Sequence, residues 1–248
     1  MIEFDCVTRT YGEKVAVNGL SLEIPPGELF AFLGPNGAGK TTTIKMLVGL
    51  LRPSQGTIRV CGLDVTTHPR EVARHLGLVP DEPYLYDKLT GREILEFVAR
   101  LHGMDRPETA ATIDRQRALF DLTGFLDDLT ETYSHGMKQR LVFASALLHD
   151  PPVLVVDEPM VGLDPKSMRL VKDLLRQRAD GGCTVFMSTH TLAVAEEVAD
   201  RVGIVDRGRL RFLGTQEALR ETLSAQQASL EQLFLELTGS EEESFPAA

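Results

Sequence analysis

The sequence predicts an α/β protein: a mostly parallel sheet packed by helices, with an antiparallel β portion at its start and a helical insertion near its middle. Three observations lead there. The apolar runs PVLVVD (152–157) and TVFMSTH (184–190) have the make-up of strands buried on both faces. Between them KSMRLVKDLLRQRADGG is an amphipathic helix pattern stopped by glycines, and a β-α-β unit of this kind builds a parallel sheet. The first sixty residues, by contrast, hold short strand-like pieces broken by Gly and Pro, whereas residues 90–150 hold helical patterns alone.

Taken in order, IEFDCVTRTY, KVAVNGLSLEI, ELFAFL and GTIRV are the early strands, and the first helix begins at Thr41. At Thr90, Glu93 completes a capping-box pattern, and Ile94, Leu95, Val98 and Leu101 recur at helical spacing until Gly103 ends the run. A further helix is expected over 137–149. After Gly214 come two short helical pieces and the acidic tail SEEESFPAA, whose composition predicts disorder. The expected organisation is one domain over 1–214, with a helical subdomain inserted at about 86–150, and a short helical extension over 215–248.

A chain of 248 residues, 43% hydrophobic, buries a substantial core. Its formal charge of -10 leaves no excess of Lys and Arg to neutralise a phosphate backbone or hold an anionic bilayer, which argues against a general nucleic-acid binder. Cys6, Cys61 and Cys183 are odd in number and far apart, a pattern of reduced thiols rather than a disulfide framework or zinc site. The start MIEFDCVTRTYGEK lacks a secretory pattern, and no run of about 18 apolar residues occurs, so a soluble, intracellular chain is expected.

Chemistry enters with GPNGAGKT, Gly34 to Thr41, which fits G-x4-G-K-[ST] between an apolar strand and a helix pattern. Glycines let backbone N–H groups converge on one point, and the helix start adds positive potential. Lys40 reaches the outer phosphates and the Thr41 hydroxyl can ligate Mg2+. Gly34, Asn36, Gly37, Ala38, Gly39, Lys40, Thr41 and Thr42 are therefore the candidate phosphate site. A dinucleotide-type glycine motif fits poorly, because Gly37 and Gly39 would need a third small residue where Thr42 stands. In VVDEP, Asp157 closes a buried parallel strand, where carboxylates point into the ligand crevice and can hold Mg2+. Glu158, one residue on, is placed to orient or deprotonate the attacking water.

In this order and spacing, GPNGAGKTT, YSHGMKQR (133–140), VVDEP, GLDP (162–165) and STH (188–190) resemble the ATP-binding subunit of an ABC transporter, over Tyr11 to about Gly214. The resemblance implies a P-loop NTPase with a RecA-like core, an antiparallel β subdomain and an inserted α-helical subdomain. It implies ATP and Mg2+ as cofactors, with Thr41, Asp157 and Asp81 as metal ligands and Lys40, Glu158 and His190 as catalytic groups. Tyr11 matches the aromatic that stacks on adenine, a contact worth about 1–3 kcal/mol if it behaves as base stacking elsewhere. Ser134 and the N–H of Gly136 would bind the γ-phosphate held by a second subunit, homologous or identical, although Ser134 alone would read as a helix N-cap. Asp164 falls in the segment that couples the two sites. The membrane permease would be a separate polypeptide, and this chain would sit in the cytoplasm at the inner face of the cell membrane through it, with no nucleic-acid partner.

The YSxGMKQR form and EPYLYDKLT are similar to the bacterial exporter branch, and Tyr84 and Tyr86 fall where that family forms its permease groove, although ordinary core positions are an equal reading. Four positions depart from the family pattern: Asp81 stands for Gln, His135 for Gly, Tyr133 for Leu, and Val161 for a small polar residue. Ser134, Gly136, Glu158 and His190 are all in place, so an active ATPase is expected. A GTPase is excluded by the lack of an NKxD element, and a repair-type ATPase by the lack of a long coiled coil. A soluble ABC-type ATPase or nucleotide-dependent regulator is the alternative.

Overall fold

The computed structural model describes residues 1–219 and 221. Along the chain run β1 (Ile2–Tyr11), β2 (Lys14–Ile24), β3 (Leu29–Leu33), α1 (Lys40–Leu47), β4 (Gln55–Val60), β5 (Leu63–Asp64), α2 (Pro69–Arg74) and β6 (Leu76–Val79). There follow α3 (Gly91–Leu101), α4 (Arg106–Leu119), α5 (His135–Ala146), β7 (Val153–Asp157), α6 (Pro165–Asp180), β8 (Thr184–Thr189), α7 (Leu192–Val198), β9 (Arg201–Asp206) and β10 (Arg209–Thr215). The extension expected over 215–248, with its acidic tail, lies almost wholly outside the described residues.

The strands form two sheets. One is antiparallel, in the order β2-β1-β4-β5; the other runs β10-β9-β3-β8-β7-β6, parallel throughout except for the β9–β10 pair. The continuous apolar runs have the burial expected of them. Leu29, Ala31, Leu33, Leu154, Val156, Val185 and Met187 face the core shared with the helical lobe. Phe30, Phe32, Val153, Val155 and Phe186 face the core shared with the antiparallel sheet. A period-2 alternation with both faces apolar is what a sheet covered on both sides requires. The rings of Phe4, Phe30 and Phe32 gather around Phe186 at centroid distances of 6.3, 5.8 and 5.5 Å, joining the two sheets.

Between β6 and β7 the chain is helical. The Thr90 hydroxyl accepts the Glu93 N–H at 3.2 Å while the Glu93 carboxylate accepts the Thr90 N–H at 2.8 Å, so the capping box starts α3 as its sequence predicts. Ile94 and Leu95 are buried, but Leu101, counted in the same stripe, is exposed, because the helix ends there before the stripe reaches the core. Helix α5 begins two residues before the expected 137, because Ser134 caps it. Tyr133 explains its own departure from Leu: its hydroxyl donates to the Phe125 carbonyl at 2.6 Å and its ring meets Phe125 edge-on at 4.9 Å. A Cβ on Gly91 would lie 2.5 Å from that hydroxyl, so the phenol fills the space that a glycine leaves at the start of α3. Burial pushes the Tyr133 phenol up to about 12, keeping it the neutral donor.

Candidate functional site

Strand β3 ends inside the sheet and the chain turns through residues 34–39 into α1, so the loop sits at the carboxyl end of the parallel strands. Two of its glycines have no substitute. A Cβ on Gly34 would lie 2.3 Å from the Val205 carbonyl oxygen, and Gly39, at φ +108°, would place one 2.5 Å from the Ala16 carbonyl oxygen. The first-turn N–H groups of Lys40, Thr41 and Thr42 have no acceptor within their own helix and point out of its N-terminus. Ala38 plays a different part from its neighbours: it is 2% exposed, packs into the core, and its N–H donates to Pro35 O at 3.2 Å. In this state Ala38 anchors the loop and its N–H is spent. Lys40, 6% exposed, donates to Gly34 O at 2.7 Å and Pro35 O at 3.3 Å.

The two acids of VVDEP separate in role. Asp157 is buried and its carboxylate accepts the Ser188 hydroxyl. Glu158 stands in the left-handed region at φ +48°, a conformation rare outside glycine, with its N–H donating to the Ser188 carbonyl and hydroxyl, each at 3.2 Å. Its Oε1 lies 3.3 Å from Lys40 Nζ. Its Oε2 lies 2.9 Å from His190 Nδ1 and accepts the His190 N–H at 3.3 Å. One carboxylate thus joins the phosphate loop to the residue that follows β8.

A cavity of about 460 Å3 opens at this point. Asn36, Gly37, Gly39, Lys40, Thr41, Thr42, Tyr11, Asp81 and Glu158 all line it, together with Lys14 and Ala16, which sequence reasoning missed. The β1–β2 hairpin brings these two in; a Lys two residues past a Gly turn carries no local signal of it. Tyr11 is half exposed, with the Arg9 guanidinium 4.7 Å above its ring. Burial, then the nearby charges of Asp157 and Glu158, hold the Asp81 carboxyl above its ordinary range.

Ser134 and Gly136 lie elsewhere. They line a second cavity, between α5 and α6, together with Gly162, Leu163, Asp164 and Ser167. Ser134 Oγ accepts the Met137 N–H at 3.3 Å, and Asp164 caps α6 by accepting the Ser167 N–H at 3.1 Å and hydroxyl at 2.6 Å. The chain therefore does not bring its own Ser134 to its own phosphate loop. Tyr84 and Tyr86 are exposed at 82% and 58%, edge to face at 6.2 Å, which removes them from the core.

A strand-loop-helix phosphate cradle, with its lysine between loop carbonyls and a strand-end carboxylate, defines a P-loop nucleotide hydrolase. The chain belongs to the ABC transporter family, whose model matches residues 17–161. It is 40% identical over 218 residues to the Nod factor export ATP-binding protein I of Paraburkholderia xenovorans (strain LB400), covering 88% of this chain and 72% of that protein. It is 40% identical over 228 residues to the daunorubicin/doxorubicin resistance ATP-binding protein DrrA of Streptomyces peucetius, covering 90% and 68%. A solved ATP-binding subunit of an ABC transporter superposes with a TM-score of 0.89 at 31% identity, over 96% of this chain and 99% of that one. A dimeric ATP-binding cassette in a post-hydrolysis state with ADP and Pi matches with a TM-score of 0.77 at 25% identity, over 87% and 98%. This is a P-loop α/β ATPase subunit that binds and hydrolyses ATP for a transporter.

Proposed function

We propose that the chain pairs with a second nucleotide-binding subunit, closes on two ATP molecules as a sandwich, and drives a separate transmembrane permease that exports its cargo. The observation that carries this reading is the Glu158 carboxylate, held between Lys40 at 3.3 Å and His190 at 2.9 Å over the phosphate-loop cavity. In this reading the loop N–H groups of Gly37, Gly39, Lys40, Thr41 and Thr42, with Gly34, Asn36 and Ala38 shaping the turn, hold the phosphates. Lys40 faces the outer ones and Tyr11 stacks on adenine. Glu158 accepts a proton from the water attacking the γ-phosphorus as the bond to the β–γ bridging oxygen breaks, releasing ADP and phosphate. His190 orients Glu158 and contacts the γ-phosphate. Ser134 and the Gly136 N–H serve the neighbour's γ-phosphate, which fits their distance from this chain's own loop.

The donor set suits Mg2+: the Thr41 hydroxyl and the Asp157 and Asp81 carboxylates are hard oxygen ligands. When bound, the ion supplies charge neutralisation at the β- and γ-phosphates.

Two features support the membrane partner. No helix among the described residues is long and apolar enough to cross a membrane, and in this reading the bilayer-spanning part of the transporter is the permease. Tyr84 and Tyr86 present apolar surface beside the helical lobe, as a groove for a permease helix requires. The export direction rests on the names of the relatives. Purified chain should hydrolyse ATP in the presence of Mg2+, co-purify with a polytopic membrane protein, and change its turnover when that protein is present. Hydrolysis that ignores the membrane fraction would favour a soluble ATPase or regulator; no hydrolysis at all would sink the reading.

A further inference from the structure

The stretch YSHGMKQR (133–140) carries His135 where a backbone that approaches phosphate would tolerate Gly best. We infer that His135 is a positioning residue: its imidazole braces the loop that begins at Glu158, so that occupancy at Ser134 and Gly136 is transmitted to the catalytic carboxylate of the same chain. The inference rests on the dimeric reading above.

The contact is specific. A Cβ built on Gly162 would lie 3.1 Å from His135 Nε2 and 3.3 Å from its Cδ2, so the ring edge occupies the space beside Gly162. Gly162 also stands at φ +73°, so both room and backbone demand glycine there. The imidazole is turned toward this loop.

The loop has little freedom elsewhere. At one end the Glu158 N–H is bound to Ser188; at the other Asp164 caps α6 through Ser167. Inside it the Val161 N–H donates to Glu158 O at 3.2 Å and the Leu163 N–H to Met160 O at 3.4 Å, while Leu163 packs on the core. Only three residues separate Glu158 from the Gly162 neighbourhood, and Val161 between them is half exposed. A push or pull at Gly162 is therefore delivered to the backbone of Glu158, which is already held in the left-handed region. His135 is the first residue of α5, flanked by the two groups assigned to the neighbour's γ-phosphate. An anion seated on Ser134 and Gly136 fixes the helix start and with it the ring. Gly at 135 would keep the anion site and remove the brace.

The test is the ATP dependence of hydrolysis by the full chain with its permease, for wild type, His135→Gly, His135→Gln, Gly162→Ala and the double variant His135→Gly/Gly162→Ala. His135→Gly should lower kcat by roughly threefold or more, the scale of coupling between touching residues. It should also bring the Hill coefficient toward about 1, with binding of a fluorescent ATP analogue to the isolated phosphate-loop site unchanged. His135→Gln, long enough to reach Gly162, should restore part of the cooperativity. The methyl of Gly162→Ala should cost less turnover in the His135→Gly background, because the ring it meets is gone. Unaltered cooperativity in His135→Gly, or strict additivity in the cycle, overturns the inference. A wild-type chain that does not hydrolyse ATP overturns the function itself, so the two failures are told apart.

Discussion

Glu158→Gln is the sharpest perturbation of the site because the two oxygens of Glu158 have separate duties. Oε1 faces Lys40 at 3.3 Å and Oε2 faces His190 at 2.9 Å. The amide keeps the length and one acceptor, which Lys40 will claim, while its NH2 turns to His190 Nδ1, gives up the bond from the His190 N–H and can no longer take a proton. Lys40 retains its bonds to Gly34 O and Pro35 O, so the loop keeps its shape. Loss of a general base lowers kcat by about 100- to 10,000-fold, or about 3–5 kcal/mol in the barrier. ATP affinity should move by less than about a factor of 10, since Lys40 keeps its place in the loop and the carboxylate charge that is lost would have opposed the phosphates. Phosphate release read by a coupled assay gives kcat, equilibrium binding of labelled ATP gives affinity, and size-exclusion chromatography with ATP should show the trapped dimer. Turnover within about threefold of wild type would refute the assignment of the base. Loss of ATP binding would show instead that the carboxylate only props up the loop.

Other perturbations test separate parts. Gly39→Ala puts a methyl 2.5 Å from Ala16 O at a φ of +108°, so ATP binding by titration should vanish while circular dichroism stays native-like. Chelating Mg2+ with EDTA should stop phosphate release and leave a weaker nucleotide complex; hydrolysis that survives would contradict the donor set of Thr41, Asp157 and Asp81. Thr90→Ala removes the cap and its reciprocal bond at α3, for a loss of about 1 kcal/mol and a fall in Tm of about 2–4 °C by calorimetry. His149 stacks on His102 at 3.6 Å, and burial, with His102 beside it, lowers its pKa to about 4. Because the unfolded chain takes that proton first, stability is whole above about pH 6.5 and declines as pH falls toward 4. His149→Phe should flatten the Tm profile in that window, and a slope parallel to wild type would exclude the histidine as its source.

Much of the fold could be read from local pattern because its causes are local. The strands β3, β7 and β8 announce themselves as apolar runs since both faces are covered. Thr90 and Glu93 signal α3 since their bonds close within three residues. The phosphate loop is equally legible, because a turn that aims several N–H groups at one anion must be built from adjacent residues. Helix α4, with a weak apolar stripe, and the alternating edge strand β10 carried fainter signals and were not singled out. What stayed hidden is what the fold brings together from afar. Lys14 and Ala16 reach the cavity across a hairpin, Ser188 holds Asp157 from the neighbouring strand, and the ring of His135 finds Gly162 across the α5–α6 gap.

The separation of Ser134 and Gly136 from their own phosphate loop has a kinetic corollary. In the paired arrangement proposed above, the centre is divided between two molecules and a lone subunit has no first-order activity of its own. At concentrations well below the dimer dissociation constant, the rate per subunit should grow in proportion to subunit concentration and level off as pairing saturates. Dilution would switch the enzyme off without denaturing it. Tethering two copies on one permease would switch it on by raising their local concentration to the millimolar range typical of short linkages. Idle hydrolysis by stray subunits would then be suppressed by geometry alone, with no inhibitor required.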